Sequence, residues 1–322
     1  MSIRFGCFLL LFLGLSLGLA SCASSGYPSP EITGTSRQIT LPITPTSRLS
    51  STPSPTFTRR VTSLPKTTFT PTQSVIPQPS ASSTAPLCLK KSGRIITASL
   101  TSKWLKLPLE YRVYLPPCYE QEKDQRYPVL YLIHGQSFTD DQWDRLGADE
   151  TADRLIASGE VAPFLIVMPR DRYGGQPSET HFGQVVAKEL LPLIDWKYRT
   201  LHKRADRAVG GLSRGAGWSV HLALTYWELF GALGSHSPAI FFDDAQHMRP
   251  LLDAIPRDSM PRIYVDVGDK DRPEIMQAAL WFEQLLNERD IPHEWHMFSG
   301  YHEEAYWEEH IEQYLLWYAG EW

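Results

Sequence analysis

Cysteine is scarce in this chain: 322 residues hold four, at Cys7, Cys22, Cys88 and Cys118. None stands at the short spacing from another cysteine or a histidine that a metal centre of this kind requires, so no metal site is expected. An excess of positive charge is lacking too. Against 36 Asp and Glu there are 31 Lys and Arg, a formal net charge of -5, which argues against nucleic acid or any other polyanion as a partner. Beyond the first twenty-odd residues no apolar run is long enough to span a bilayer, and no internal repeat is present. Tryptophan is missing from the first quarter: all ten lie after residue 86.

What stands at the start is "MSIRFGCFLLLFLGLSLGLASC", one arginine, an apolar run and a small-residue end, which is the layout of an export signal. Leu19-Ala20-Ser21-Cys22 resembles the lipobox of bacterial lipoproteins, in which the cysteine is lipidated and becomes the new N-terminus. That resemblance implies a signal peptide over 1–22 and a lipid anchor on Cys22, holding the protein outside the cytoplasm on a bacterial membrane. Each buried methylene contributes about 0.8 kcal/mol, so several acyl chains anchor firmly where one holds marginally. An uncleaved membrane segment or an ordinary cleaved signal are the plainer alternatives. Residues 23–87 are rich in Ser, Thr and Pro and cannot bury enough apolar surface to offset their ordering entropy. They read as a disordered, proline-stiffened tether; a glycosylated stalk has the same composition. The folded domain is expected over 88–322, a length suited to one α/β domain. Export leaves a Cys88–Cys118 disulfide open, since spacing alone does not give its geometry.

Within that domain, apolar runs bounded by turn residues mark seven strands: "RIITASL", "LEYRVYLP", "YPVLYLIHG", "APFLIVMP", "DRAVGGLS", "PRIYVDVG" and "HEWHMFSG". Several are continuous rather than alternating, as strands covered on both faces are. Between them, "FGQVVAKELLPLIDWKY", "GAGWSVHLALTYWELF", "IMQAALWFEQLLNER" and "EEAYWEEHIEQYLLWYAG" carry helical spacing. The alternation predicts an α/β fold, a mostly parallel central sheet with helices on both faces and ligands at the carboxyl ends of the strands.

One strand-to-helix turn carries chemistry. Gly211-Leu212-Ser213-Arg214-Gly215 fits GxSxG, whose serine sits on a strained turn, with flanking glycines where a Cβ would collide. A turn whose serine only caps the helix is the plain alternative. A serine hydroxyl needs a base within hydrogen-bond reach, oriented by a carboxylate. His302, on a loop after the last strand, is the expected base; His293, His296 and His310 lie inside a strand or helix. For the acid, Asp269 and Asp271 lie on a loop at a strand's carboxyl end, and Asp271 is preferred. The oxyanion donors expected are the backbone N–H of Arg214 and that of Gln136, in "LIHGQS". His134 beside it is expected to pack. Trp218, Arg170 and Tyr301 are candidates to touch substrate, by stacking or charge.

Together "YPVLYLIHG…W", "VMP", "GLSRG", "VGDKD" and "GYHEEAYW" resemble the esterase D and feruloyl esterase branch of the α/β-hydrolases, which also includes enterochelin esterases and mycolyltransferases. The likeness covers nearly all of residues 100–320, in family order. It implies the α/β-hydrolase fold and a triad of Ser213, Asp271 and His302. Two positions depart: many members have Met after the serine and a second glycine two residues later, where this chain has Arg214 and Ala216. An Arg214 side chain could face the cleft or tie down a carboxylate, and the second role is preferred. The expected activity is that of an anchored extracytoplasmic serine esterase, acting on small-molecule or carbohydrate-linked esters through an acyl-enzyme, without metal or cofactor. Acyl transfer of the mycolyltransferase kind is the enzymatic alternative, and a non-catalytic carbohydrate-binding lipoprotein with the same fold the other.

Overall fold

The computed structural model describes residues 92–322; the signal, Cys22, the tether and Cys88 lie outside them. Eight strands, β1 Arg94–Leu100, β2 Leu109–Leu115, β3 Val129–Ile133, β4 Leu165–Pro169, β5 Arg207–Leu212, β6 Ala232–His236, β7 Arg262–Gly268 and β8 Glu294–Phe298, form one sheet in the order β1-β2-β4-β3-β5-β6-β7-β8. β2 pairs antiparallel with β1 and β4, and every pairing from β4 to β8 is parallel. β3, β4 and β5 are buried along their whole length, which is why β3 and β4 read as unbroken apolar runs.

The helices are α1 Gln142–Arg145, α2 Ala148–Ser158, α3 Phe182–Val185, α4 Leu191–Lys197, α5 Arg214–Thr225, α6 Phe242–Ala254, α7 Pro273–Asn287 and α8 Glu304–Ala319. A π-helical turn, Val186–Leu190, joins α3 to α4. The pleat sends alternate residues of β3 into two separate cores. Val129, Tyr131 and Ile133 join Phe182, Trp218 and Phe282 on one face; Leu130 and Leu132 join Trp143, Leu155 and Tyr314 on the other. Helices thus cover both faces of the α/β-hydrolase fold, as the strand and helix alternation predicts.

Four elements depart from the sequence reading. β6, with sequence Ala-Leu-Gly-Ser-His, carries a single large apolar residue and gave no strand signal. α5 stops at Thr225 instead of running to Phe230. Its 12 residues span about 18 Å, enough to recross a five-residue strand of about 17 Å, so Leu229 and Phe230 serve the turn into β6. α2 and α6 were also unmarked, the latter because Pro250 interrupts its pattern. Cys118 is disulfide-bonded. Among the described residues, no helix is long and apolar enough to cross a membrane.

Candidate active site

Ser213 follows β5 and caps the start of α5 with φ 54° and ψ -119°, a region a side-chain-bearing residue rarely adopts and holds only when its surroundings enforce it. The flanking glycines supply the enforcement. A Cβ on Gly215 would lie 2.0 Å from the Ile133 carbonyl oxygen, and one on Gly211 2.4 Å from the Gly215 backbone. Strand, turn and helix therefore touch without side chains between them, which lifts the serine hydroxyl to the carboxyl end of the sheet.

The loops after β7 and β8 are clamped to each other. Asp269 N–H donates to the Phe298 carbonyl (2.7 Å), Lys270 N–H to the Gly300 carbonyl (2.9 Å), and Gly300 N–H to Asp269 Oδ1 (3.0 Å). Asp269, the second acid candidate, is thus occupied in holding the loops together. The clamp brings Asp271 Oδ1 to 2.8 Å from His302 Nδ1 and His302 Nε2 to 2.8 Å from Ser213 Oγ. With the carboxylate accepting from Nδ1–H, Nε2 carries the lone pair that accepts the serine hydroxyl. The His302 and Asp271 side chains are almost wholly enclosed. Trp307 presents its ring edge-on to His302, with centroids 5.0 Å apart. Asp271 does not cap α7; that place belongs to Arg272.

The two proposed oxyanion donors come from separate segments. Arg214 is the first residue of α5, where an amide has no acceptor within the helix. The loop after β3 passes over the serine: a Cβ on Gly135 would be 3.6 Å from Ser213 Cβ, which places Gln136 next to it. The loop is fixed by Gly135 N–H donating to the Oε1 of buried Gln142 (2.8 Å). Gln142 carries no motif signal, and sequence reading passed over it. His134 packs as expected, its Nε2 accepting from Asp171 N–H (2.9 Å) while Nδ1–H donates to the Gly135 carbonyl (2.7 Å). Burial lowers its pKa, favouring the neutral ring this arrangement needs.

The Arg214 side chain turns away from the serine. Its Nε donates to Asp171 Oδ2 (2.8 Å), and Nη2 donates to the carbonyls of Tyr173 and Gly175 (2.8 and 2.7 Å). It ties down the loop after β4, the structural role preferred on sequence. Trp218 is a correction: it is fully buried, packed against Phe182 and Phe241, with its indole N–H donating to Asp171 Oδ2 (2.7 Å). It offers no face to a substrate. Five residues past the serine on a helix, its side chain points roughly 140° away. Arg170 and Tyr301 remain accessible. Arg170 and Arg172 both pair with Glu110 Oε2, and the Arg170 hydrogen bond, assisted by Arg172, holds the Glu110 carboxyl below its ordinary pKa. Tyr301, 56% exposed, precedes the histidine.

A second histidine–carboxylate pair, missed on sequence, lies beneath the site. His236 Nδ1–H donates to Asp266 Oδ1 (2.5 Å) and its Nε2 accepts from Tyr318 OH (3.0 Å). Asp266 Oδ2 accepts from Tyr306 OH (2.7 Å) and Tyr314 OH (2.9 Å). Every member is buried, so this group anchors α8 to β6 and β7. Among the described residues, no group of three or more His, Cys, Asp or Glu could hold a metal ion.

The chain is similar to known proteins in sequence and in fold. The 34% identity with the endo-1,4-beta-xylanase/feruloyl esterase of Xylanibacter ruminicola extends over 173 residues, 50% of this chain and 23% of that protein. An esterase of Mycobacterium tuberculosis is 33% identical over 135 residues, 39% of this chain and 28% of its own. The chain therefore spans about a quarter of the length of these curated relatives. Among solved structures, a ferulic acid esterase superposes with TM-score 0.65 and 26% identity, covering 73% of this chain and 100% of that one. A ferulic acid esterase of Anaeromyces mucronatus, solved with ferulic acid, shares the fold at TM-score 0.56 and 19% identity, covering 70% of this chain and 90% of its own. The sequence profile of the Esterase family, described as "Putative esterase", matches residues 102–318, and the chain belongs to that family.

Proposed function

We propose that the protein is a serine-dependent carboxylic ester hydrolase. One observation carries the reading: a serine held at positive φ, with its hydroxyl 2.8 Å from an imidazole whose other nitrogen meets a buried carboxylate. Ser213 Oγ attacks the ester carbonyl carbon while its proton passes to His302 Nε2, and Asp271 stabilises the imidazolium. The oxyanion takes hydrogen bonds from the N–H groups of Arg214 and Gln136. Removal of one such donor in known hydrolases costs about 3 to 4 kcal/mol of transition-state stabilisation. The carbon–oxygen bond to the alcohol then breaks as His302 returns its proton to the leaving oxygen, and water, deprotonated by the same imidazole, releases the acid.

The named activity of the feruloyl esterase relatives makes hydroxycinnamoyl esters the first substrates to test, beside acetyl and longer-chain esters. Purified domain should release acid from at least one class, and added alcohols or sugars should not divert the acyl group. Predominant ester exchange would assign acyl transfer instead. A folded protein that binds glycans and cleaves no ester would assign the binding role.

The sequence of residues 1–87 supports a location for this activity: an export signal over 1–22, lipidation of Cys22, and a tether over 23–87 holding the domain off a bacterial membrane. Metabolic labelling with a radioactive fatty acid should mark the full chain, and Cys22→Ser should abolish the label. Retention of label in that variant would remove the anchor from the account.

A further inference from the structure

Between the loops after β3 and β4, and reaching Arg214 next to the nucleophile in the chain, lies a cavity of about 400 Å³ lined by Gln136, Ser137, Arg170, Arg172, Tyr173 and Arg214 among others. Gln136 and Arg214, whose backbone N–H groups are the proposed oxyanion donors, both border it, so one substituent of an ester seated on Ser213 has a path towards this cavity. The wall is cationic. Arg170, Arg172 and Arg214 all border it, and Asp171 is the one carboxylate among its lining residues. Asp171 is spent on Arg214 and Trp218 with only 2% of its side chain exposed. Arg170 and Arg172 differ from Arg214: their side chains are more than a quarter exposed, and both lean on a single oxygen of Glu110. Each guanidinium carries five N–H donors in a planar fork. One shared carboxylate oxygen leaves most of these donors available to a ligand. Glu110 itself stands outside the lining, and Arg112 nearby is held by Asp140 and Asp144.

We propose that this cavity binds a carboxylate carried by the ester substrate, held by the forks of Arg170 and Arg172. The inference rests on the esterase reading and narrows it to esters with an anionic acyl or alcohol portion. His302 must face the leaving oxygen to protonate it, and no residue of its loop lines the cavity, so the geometry favours the acyl end.

The test compares matched substrates differing only in carboxylate against carboxamide. One pair places the group on the acyl side, as para-nitrophenyl esters of para-carboxycinnamate and para-carbamoylcinnamate. The other places it on the alcohol side, as acetylated methyl glucuronoside and its amide. The expected result is a kcat/KM preference of about tenfold for the carboxylate in one pair, the size of one partly solvated charge-assisted hydrogen bond, residing in KM. Arg170→Gln with Arg172→Gln should bring the ratio near one, and Arg172→Lys should restore part of it. A ratio near one for both pairs in the unsubstituted protein overturns the proposal, as does a preference that survives the double substitution. Turnover of the carboxamides tests the esterase reading separately. Calorimetric binding of the free carboxycinnamate and its amide to the Ser213→Ala protein makes the same comparison without turnover.

Discussion

An alanine methyl at position 215 would press against the Ile133 carbonyl, and the backbone carbonyl cannot move aside as a flexible side chain would. Gly215→Ala should therefore cost about 3 kcal/mol or more of stability, at the upper end of overpacking changes. Gly174→Ala, which meets nothing within 4 Å, should stay within about 0.5 kcal/mol of the parent. Urea denaturation of the two variants checks the contrast. The two loop acids separate in the same way. Asp271 faces His302 and Asp269 faces Gly300, so Asp271→Asn should lower kcat by about 10⁴-fold through loss of the productive tautomer. Asp269→Asn should act mainly by loosening the clamp. Steady-state kinetics in which Asp269→Asn has the larger effect on kcat would reverse the assignment.

At the scale of elements, α8 enters directly after His302 and is pinned by Tyr306, Tyr314 and Tyr318 to the Asp266–His236 pair. Burial and the Asp266 charge raise the pKa of Tyr306 and Tyr314, so both remain neutral donors. Asp266→Ala leaves a buried histidine and two hydroxyls without their acceptor and should destabilise the domain by about 3 to 5 kcal/mol. Tyr314→Phe, losing one hydrogen bond, should cost about 1 to 2 kcal/mol. Chemical denaturation measures both, and equal losses would show that the carboxylate is not the hub. This cluster illustrates what the chain reveals before folding. Strands such as "PVLYLI" announce themselves because burial on both faces demands unbroken apolar residues. The serine turn announces itself because steric crowding demands glycine at two fixed offsets. Asp266 and His236 lie on neighbouring strands and meet only through sheet pairing, so no spacing rule exposes them. β6 was hidden for the converse reason: its small residues make room for the Tyr318 hydroxyl, which lies where a Cβ on Gly234 would be. Trp218 was misread because nearness to Ser213 in the chain is not nearness around a helix.

Across the whole molecule, the parallel strands deliver the loops after β3, β4, β5, β7 and β8 to one end of the sheet, where such folds gather ligands. The opposite demand, a stable core, leaves one carboxyl out of balance. Burial, with the protonated carboxyl donating to the neighbouring Glu150 carboxylate, pushes the Asp149 pKa up to about 7. The folded state thus holds that proton more tightly than the unfolded chain. The associated stability is complete below the ordinary carboxylate pKa of about 4 and is lost as pH rises through about 7. Asp149→Asn should therefore gain on the parent in urea midpoint at pH 8 relative to pH 5. An identical shift at both pH values would show that Asp149 titrates normally.

The central claim, that the hydroxyl of Ser213 is activated by His302, is tested most directly by intact-protein mass spectrometry after exposure to a fluorophosphonate. The account predicts one covalent adduct, mapped to Ser213 by peptide sequencing, formed rapidly in the parent and slowed at least a thousandfold in folded His302→Ala. No adduct in the folded parent, an adduct on another residue, or equal labelling of both proteins would contradict it.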